Sequence, residues 1–205
     1  MKRIFKILSV VLVVLISYYV WHVHFNFRFE TISENKVYKS ALIDPEKIEN
    51  YLIENNIKTV INLLHSGIKD KLNPAGQNHI DAEDEAIKKV NQKHNLNIRH
   101  VNIPSAQIPT QENLKSFYEV LDDESNYPVL IHCYHGTGRA QMYSAIYRIE
   151  YENWKNEDAR AKTRVVVNAL GYRSSFADGK SKGDFLMAYK PRTTRTQTTL
   201  NTEDK

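Results

Sequence analysis

The sequence is poor in cysteine: Cys133 is the only one in 205 residues. A disulfide within the chain is therefore impossible, and so is a four-cysteine zinc site. Glycine and proline are also sparse, at 7 and 6 residues, which excludes collagen-like, mucin-like and wholly disordered chains. The first 29 residues contain no acid. They carry Lys2, Arg3, Lys6 and Arg28, a charge of +4, whereas residues 190–205 carry +2 and the stretch between carries −2. The net charge of +4 is thus a property of the two ends. A duplex-binding domain needs a basic face to neutralise phosphates, and the slightly acidic middle offers no excess from which to build one. The charge balance argues against a nucleic-acid partner.

Long uncharged apolar runs are absent except at the start. Residues 7–21 read ILSVVLVVLISYYVW. Fifteen residues cover only about 22 Å as a helix, short of a ~30 Å hydrocarbon core. Residues 4–23 provide enough length, with Lys6 able to snorkel towards the headgroups. Tyr18, Tyr19, Trp21, Phe25, Phe27 and Phe29 form the aromatic exit typical of a membrane interface. The expected organisation is a membrane anchor and interface segment over residues 1–29, a folded domain over 30–190, and a disordered polar tail over 191–205. Two other readings of the apolar run are a cleaved signal peptide, which would give a secreted domain, and a buried core helix. No small-x-small cleavage site follows the run, and its all-round apolarity argues against a core helix. The basic residues ahead of the span keep the N-terminus cytoplasmic and export the rest as a single-pass protein.

The domain reads as alternating strands and helices. Residues 35–40, 58–64, 98–103 and 128–132 have strand character. A helix starts at Asp44-Pro45, with Asp44 as N-cap. Residues 65–80 read as a loop. A second helix runs from Asp81 to about His94, a third from Thr110-Gln111-Glu112 to about Asp123, a fourth from Arg139 to about Glu152, and another starts at Asn156. This pattern predicts an α/β fold, with a central, mostly parallel sheet flanked by helices and preceded by one transmembrane helix.

The chemistry lies in Val129-Leu130-Ile131-His132-Cys133-Tyr134-His135-Gly136-Thr137-Gly138-Arg139. A buried strand ends, a loop with two glycines follows, and a helix begins. The loop falls at the carboxyl end of a strand, where α/β sheets bind ligands. Successive backbone N–H groups there converge on an anion, helped by the helix dipole. Gly136 and Gly138 permit the tight path. The same field favours a thiolate, which makes Cys133 a nucleophile at neutral pH. Arg139 offers a planar fork of donors matched to two phosphate oxygens.

Cys133, the five residues after it, Arg139, and His132 ahead of them resemble the His-Cys-x5-Arg signature of cysteine-dependent protein tyrosine and dual-specificity phosphatases. Lys36-Val37-Tyr38-Lys39-Ser40 and Val60-Ile61-Asn62-Leu63 are similar to strands of that family, and Tyr147-Arg148 and Trp154 resemble its small atypical branch. The resemblance covers roughly residues 32–190. It implies a phosphatase-like catalytic domain with a phosphocysteine intermediate on Cys133. Phosphate would be held by Arg139 and by the loop of Tyr134, His135, Gly136, Thr137 and Gly138, with His132 in support. It implies no metal and no cofactor. The expected partners are a phosphorylated protein or a small phosphomonoester, and the membrane through the N-terminal helix.

Other chemistries fit less well. A metal held by His132, Cys133 and His135 lacks a fourth clustered ligand, and the cysteine loop of sulfur transferases is shorter. Two departures from the family pattern stand out. Ala140 occupies the position where Ser or Thr often follows the arginine. The region about 30 residues before the cysteine, Ile103-Pro104-Ser105-Ala106-Gln107-Ile108-Pro109, holds no carboxylate to act as general acid, so that residue is unidentified. Glu112 reads as a first-turn helix residue, and Asp81, Glu83, Asp84 and Glu85 read as a solvated helix start, with the folding of one of them over the site as the alternative. Without an acid, aryl phosphates and phosphotyrosine are favoured substrates. The alternative is a phosphate-binding pseudophosphatase or a phosphoinositide-directed member of the same fold.

Overall fold

The computed structural model describes residues 2–67 and 76–192. The expected tail lies, from residue 193 onwards, outside the described residues. The apolar N-terminus forms helix α1 (Lys2–Val20), which continues into a π-helical turn at Trp21–Phe25. Arg3–Phe25 is long and apolar enough to cross a membrane, and no residue of its most apolar stretch is buried in the protein. Its 23 residues correspond to about 35 Å of helix. The exposure sets aside the reading of this run as a buried core helix.

The chain divides into two compact units, Met1–Gln141 and Met142–Lys205. The first contains a five-stranded sheet in the order β1-β2-β5-β3-β4. Its strands are β1 (Glu30–Ser33), β2 (Val37–Ala41), β3 (Thr59–Asn62), β4 (Arg99–Asn102) and β5 (Val129–Cys133). β2, β5, β3 and β4 run parallel, and β1 joins β2 antiparallel. The mostly parallel α/β fold expected from the sequence is the one observed. β1 was not anticipated, because four residues with no clear alternation carry little periodic signal.

Helix boundaries differ from expectation in two places. Residues 45–47 form a turn, with Asp44 O accepting from Lys47 N and Ile48 N. Helix α2 therefore starts later than Asp44-Pro45, at Ile48–Glu54. Helix α3 (Gln77–His94) starts earlier than Asp81, with Gly76 at its N-cap. The loop expected over 65–80 thus ends at residue 76, and its residues 68–75 lie outside the described set. Helix α4 (Gln111–Leu121) is capped as expected, with Thr110 Oγ1 accepting from Asn113 N at 3.1 Å. Glu112 is an exposed first-turn residue.

The strand register decides what meets at the carboxyl end of the sheet. Asn62 pairs with both Asn102 and His132, and His132 pairs with Ser40. Four polar side chains, Asn102, Asn62, His132 and Ser40, therefore form one row across four strands. One step down, Val60 and Leu130 join a core with Tyr38, Ile48 and Leu52 of α2, and Ala86, Ile87 and Val90 of α3. Period-two alternation places Lys39, Ile131 and Cys133 on the opposite face.

The second unit begins within helix α5 (Arg139–Tyr151) and contains α6 (Asn156–Ala161), a 3₁₀ turn at Lys162–Arg164, α7 (Val165–Ala169) and α8 (Ser181–Ala188). Phe176 and Leu186 are among its buried apolar residues, with Tyr143, Ile146 and Ala159. Asn156 Nδ2 ties α6 to the end of α8 by donating to Leu186 O and Tyr189 O at 2.9 and 2.7 Å. Glu150 accepts from Tyr189 OH and from the Arg192 backbone at 2.5 and 3.0 Å.

Candidate active site

Cys133 is the last residue of β5, opposite Ala41 of β2, and its side chain is buried. The chain bends through residues 134–138 and enters α5 at Arg139. Strand, loop and helix thus follow one another as the sequence predicts. Tyr134 is half-buried and His135 is exposed at the loop surface. Gly136 has φ +68°, a left-handed conformation that β-carbons disfavour. A Cβ built on it would lie 2.6 Å from the Ala41 backbone nitrogen and 2.8 Å from Ser40 C. Gly136 is therefore demanded twice, by backbone angle and by the close approach of β2. Among the described glycines, the positive-φ set is Gly136, Gly171 and Gly179. Gly138, expected to share the role of Gly136, does not adopt this conformation.

Arg139 is buried, and its guanidinium is aimed by two backbone carbonyls. Nη1 donates to Leu63 O at 2.6 Å, just beyond β3, and to Ser105 O at 3.1 Å, just beyond β4. These two acceptors anchor one end of the guanidinium. The turn that presents Leu63 is itself braced. Asn62 Oδ1 accepts from Leu64 N at 2.7 Å, and Asn102 Nδ2 donates to Asn62 O and Leu64 O at 2.9 and 3.1 Å.

Behind the loop lies a buried ion cluster that the sequence reading missed. Glu83, expected to be solvated, is 2% exposed. The earlier start of α3 explains the correction: Ile80, Glu83, Ile87 and Val90 share the inward stripe of one helix. Glu83 Oε2 accepts from Asn62 Nδ2 at 2.6 Å, His100 Nε2 at 2.9 Å and His132 Nε2 at 3.0 Å. Burial alone would raise the Glu83 carboxyl, but attraction to His132 and hydrogen bonds from both histidines outweigh it and bring its pKa to about 2. His100 also faces Asp84 Oδ1 through Nδ1, at 3.3 Å. With carboxylates at both nitrogens the ring donates twice, the arrangement of an imidazolium. Burial pulls the His100 pKa down, yet its bonds to Glu83 and Asp84 raise it overall. The Glu83 carboxylate thereby holds the His132 ring through Nε2, directly before Cys133.

Lys39 lies within β2, where the sequence pattern shows only a strand. It is 1% exposed, with Nζ 3.2 Å from Glu30 Oε2, its cross-strand neighbour on β1. Burial lowers the Lys39 pKa, opposed by Glu30 and by the nearby charge of Cys133. Among the described residues no cluster of His, Cys, Asp or Glu is arranged to hold a metal ion. The segment at 103–109 carries no carboxylate, and its structural role is to supply Ser105 O to Arg139.

Residues 25–178 match the family model described as a DSP-PTPase phosphatase fused to NAD+ kinase. The chain belongs to this family. The fold of this DSP-PTPase member is similar to three solved structures. One is the core catalytic domain of the PP-IP phosphatase Siw14 from S. cerevisiae, in complex with citrate (15% identity, 79% of this chain and 85% of that one, TM-score 0.54). Another is PTPMT1 (17%, 78% and 91%, 0.52). The third is a cysteine-to-serine variant of P. aeruginosa TpbA in complex with pTyr (20%, 79% and 89%, 0.50). No curated protein matches the sequence. At these identities the likeness is one of fold.

One prediction follows from the loop of this DSP-PTPase chain. Gly136→Ala should push the loop away from β2, because the new methyl meets backbone rather than a movable side chain. Displacing a reacting centre by about 1 Å costs on the order of 10²-fold. Hydrolysis of an aryl phosphate should fall by at least that factor, while circular dichroism shows the sheet retained.

Proposed function

We propose that the chain is a membrane-anchored, cysteine-dependent phosphomonoester phosphatase acting through a phosphocysteine on Cys133. The observation that carries this reading is the placement of Cys133, a tight loop and the carbonyl-oriented Arg139 fork at one end of a single strand. The Cys133 thiolate attacks phosphorus, and the bond to the leaving oxygen breaks as the S–P bond forms. The leaving group departs with its electron pair and takes a proton from solvent. Water then attacks phosphorus, the S–P bond breaks, and inorganic phosphate and the thiolate are released. Throughout, the loop amides and Arg139 hold the equatorial oxygens. No carboxylate occupies the 103–109 segment, which favours leaving groups that depart without protonation, such as the phenolate of phosphotyrosine. Structures of similar fold carry pTyr in TpbA and PI(5)P in PTPMT1, consistent with a phosphomonoester site. In this reading the helix at Arg3–Phe25, long and apolar enough to cross a membrane, serves as the anchor, and Lys2, Arg3 and Lys6 at its start favour a cytoplasmic N-terminus with the catalytic loop on the exported side.

The test is hydrolysis of an aryl phosphate by the full chain in detergent micelles, with Cys133→Ser alongside. Turnover that disappears with Cys133→Ser is expected. Equal rates for both proteins would reject the mechanism. A second reading, phosphate binding without turnover, is favoured by buried Ala140 and the acid-free 103–109 segment. It predicts vanadate-protected alkylation of Cys133 with no hydrolysis.

A further inference from the structure

For loop amides to converge on an anion, the carbonyls of the same peptide planes must point away from it, because a trans peptide sets C=O and N–H on opposite sides. Each outward carbonyl then needs a donor. Two such donors come from outside the loop. Tyr134 O accepts from Leu42 N at 3.2 Å, just past the end of β2. His135 O accepts from Arg28 Nη1 at 3.0 Å. The second is a side chain 107 residues away, in the short turn that follows the apolar helix.

That turn is built to hold Arg28 in place. Phe27 and Arg28 both have φ +49°, a conformation that bulky residues adopt only where their surroundings enforce it. The enforcement is visible on both sides. Arg28 N donates to His22 O, the last helical turn, at 2.9 Å, and Phe27 O accepts from Ala41 N, at the end of β2, at 2.7 Å. The Phe27 side chain is buried in the core beside Tyr38 and Ile48, edge-on to Tyr51 with ring centroids 6.0 Å apart. Strained backbone at a contact with a reactive loop is a recurrent mark of functional positioning. The charge of Arg28 also reaches Lys39, which in turn lies within electrostatic range of Cys133.

We propose that Arg28 is a positioning residue of the phosphate loop: its guanidinium holds the His135 carbonyl outward and so turns the Gly136 N–H inward towards the phosphoryl oxygens. Through this one side chain the segment behind the apolar helix reaches the phosphate loop. The ligand class is the tetrahedral oxyanion of a phosphomonoester, and the proposal rests on the phosphatase reading above.

The test uses the full chain in detergent micelles, with orthovanadate as the probe. Vanadate protection of Cys133 from iodoacetate reports loop affinity independently of turnover, and aryl phosphate kinetics report kcat and KM. Arg28→Ala removes a charged donor and is expected to weaken vanadate protection by about tenfold or more, raising KM and lowering kcat. Asn26→Ala is the control for the turn, because Asn26 Nδ2 donates to Phe29 O at 3.3 Å without touching the loop. It is expected to stay within about twofold of the unsubstituted chain. Thermal unfolding of both variants checks that the fold is kept. Unchanged vanadate protection in Arg28→Ala, or an equal loss in Asn26→Ala, would overturn the proposal. Absence of any vanadate protection in the unsubstituted chain would overturn the phosphatase reading itself, and this proposal with it.

Discussion

Arg139→Ala is expected to lower kcat/KM for an aryl phosphate by about 10³-fold or more. A single preorganised donor to developing negative charge is worth about 10²–10³-fold, and an arginine on a transferring phosphoryl group reaches about 10³–10⁵-fold. Arg139 is buried, so its field is not diluted by water. One end of its guanidinium is also anchored in advance by Leu63 O and Ser105 O, so little reorganisation is needed when phosphate arrives. Arg139→Lys is not a mild change, since an ammonium is a point charge without the fork. It should recover only part of the loss. Steady-state kinetics of the three proteins, with unfolding measured in parallel, make the check. A fall of less than about tenfold in Arg139→Ala would show that the guanidinium does not engage the reacting group.

Glu83→Ala is expected to be the most damaging substitution for stability. Removing one partner of a buried ionic cluster costs about 3–5 kcal/mol, because the charges left behind have no compensation. Here a single carboxylate oxygen serves Asn62, His100 and His132. Its loss frees the bracing of β3, the ring beside Cys133 and the cross-link from α3 to β4. The pH dependence has a defined sign. Glu83 has a folded pKa of about 2 against an ordinary 4.5, so its stabilisation is present above 4.5 and is lost as pH falls towards 2. The raised His100 pKa works in reverse: its stabilisation is full below 6.5 and is lost as pH climbs through the folded value. The cluster therefore contributes most between about pH 4.5 and 6.5. Unfolding of the full chain at pH 3, 5.5 and 8 should show this maximum, and Glu83→Ala should flatten it. An unaltered profile in the variant would separate the cluster from acid stability.

The difference between what could and could not be read in the sequence follows contact distance along the chain. Cys133, Gly136 and Arg139 fall within seven residues, and the strand–loop–helix around them is determined locally. The parallel sheet was equally legible, because apolar runs such as Val129-Leu130-Ile131 leave few alternatives. Glu83 was missed although its helical stripe with Ile87 and Val90 is present. Starting the helix at Asp81 placed Glu83 in a first turn, where a carboxylate has an ordinary reason to be solvated. Only sheet order shows that β3, β4 and β5 bring Asn62, His100 and His132 under it. Arg28 was counted as a charge flanking a membrane span. Nothing in its neighbours signals a left-handed turn, since Phe27 and Arg28 are not residues that favour one.

On the function proposed above, the turn at residues 26–29 also limits where the protein works. Phe25 closes the apolar helix, and Arg28 already touches the catalytic loop. Three residues of chain span no more than about 11 Å. With the helix in a bilayer, the reacting sulfur is moored close to the headgroups on a leash too short to swing. Catalysis is then a search in two dimensions. Phosphates carried in the plane of the membrane meet the loop at a high local concentration, whereas one on a soluble protein must project far enough to come down to the lipid surface.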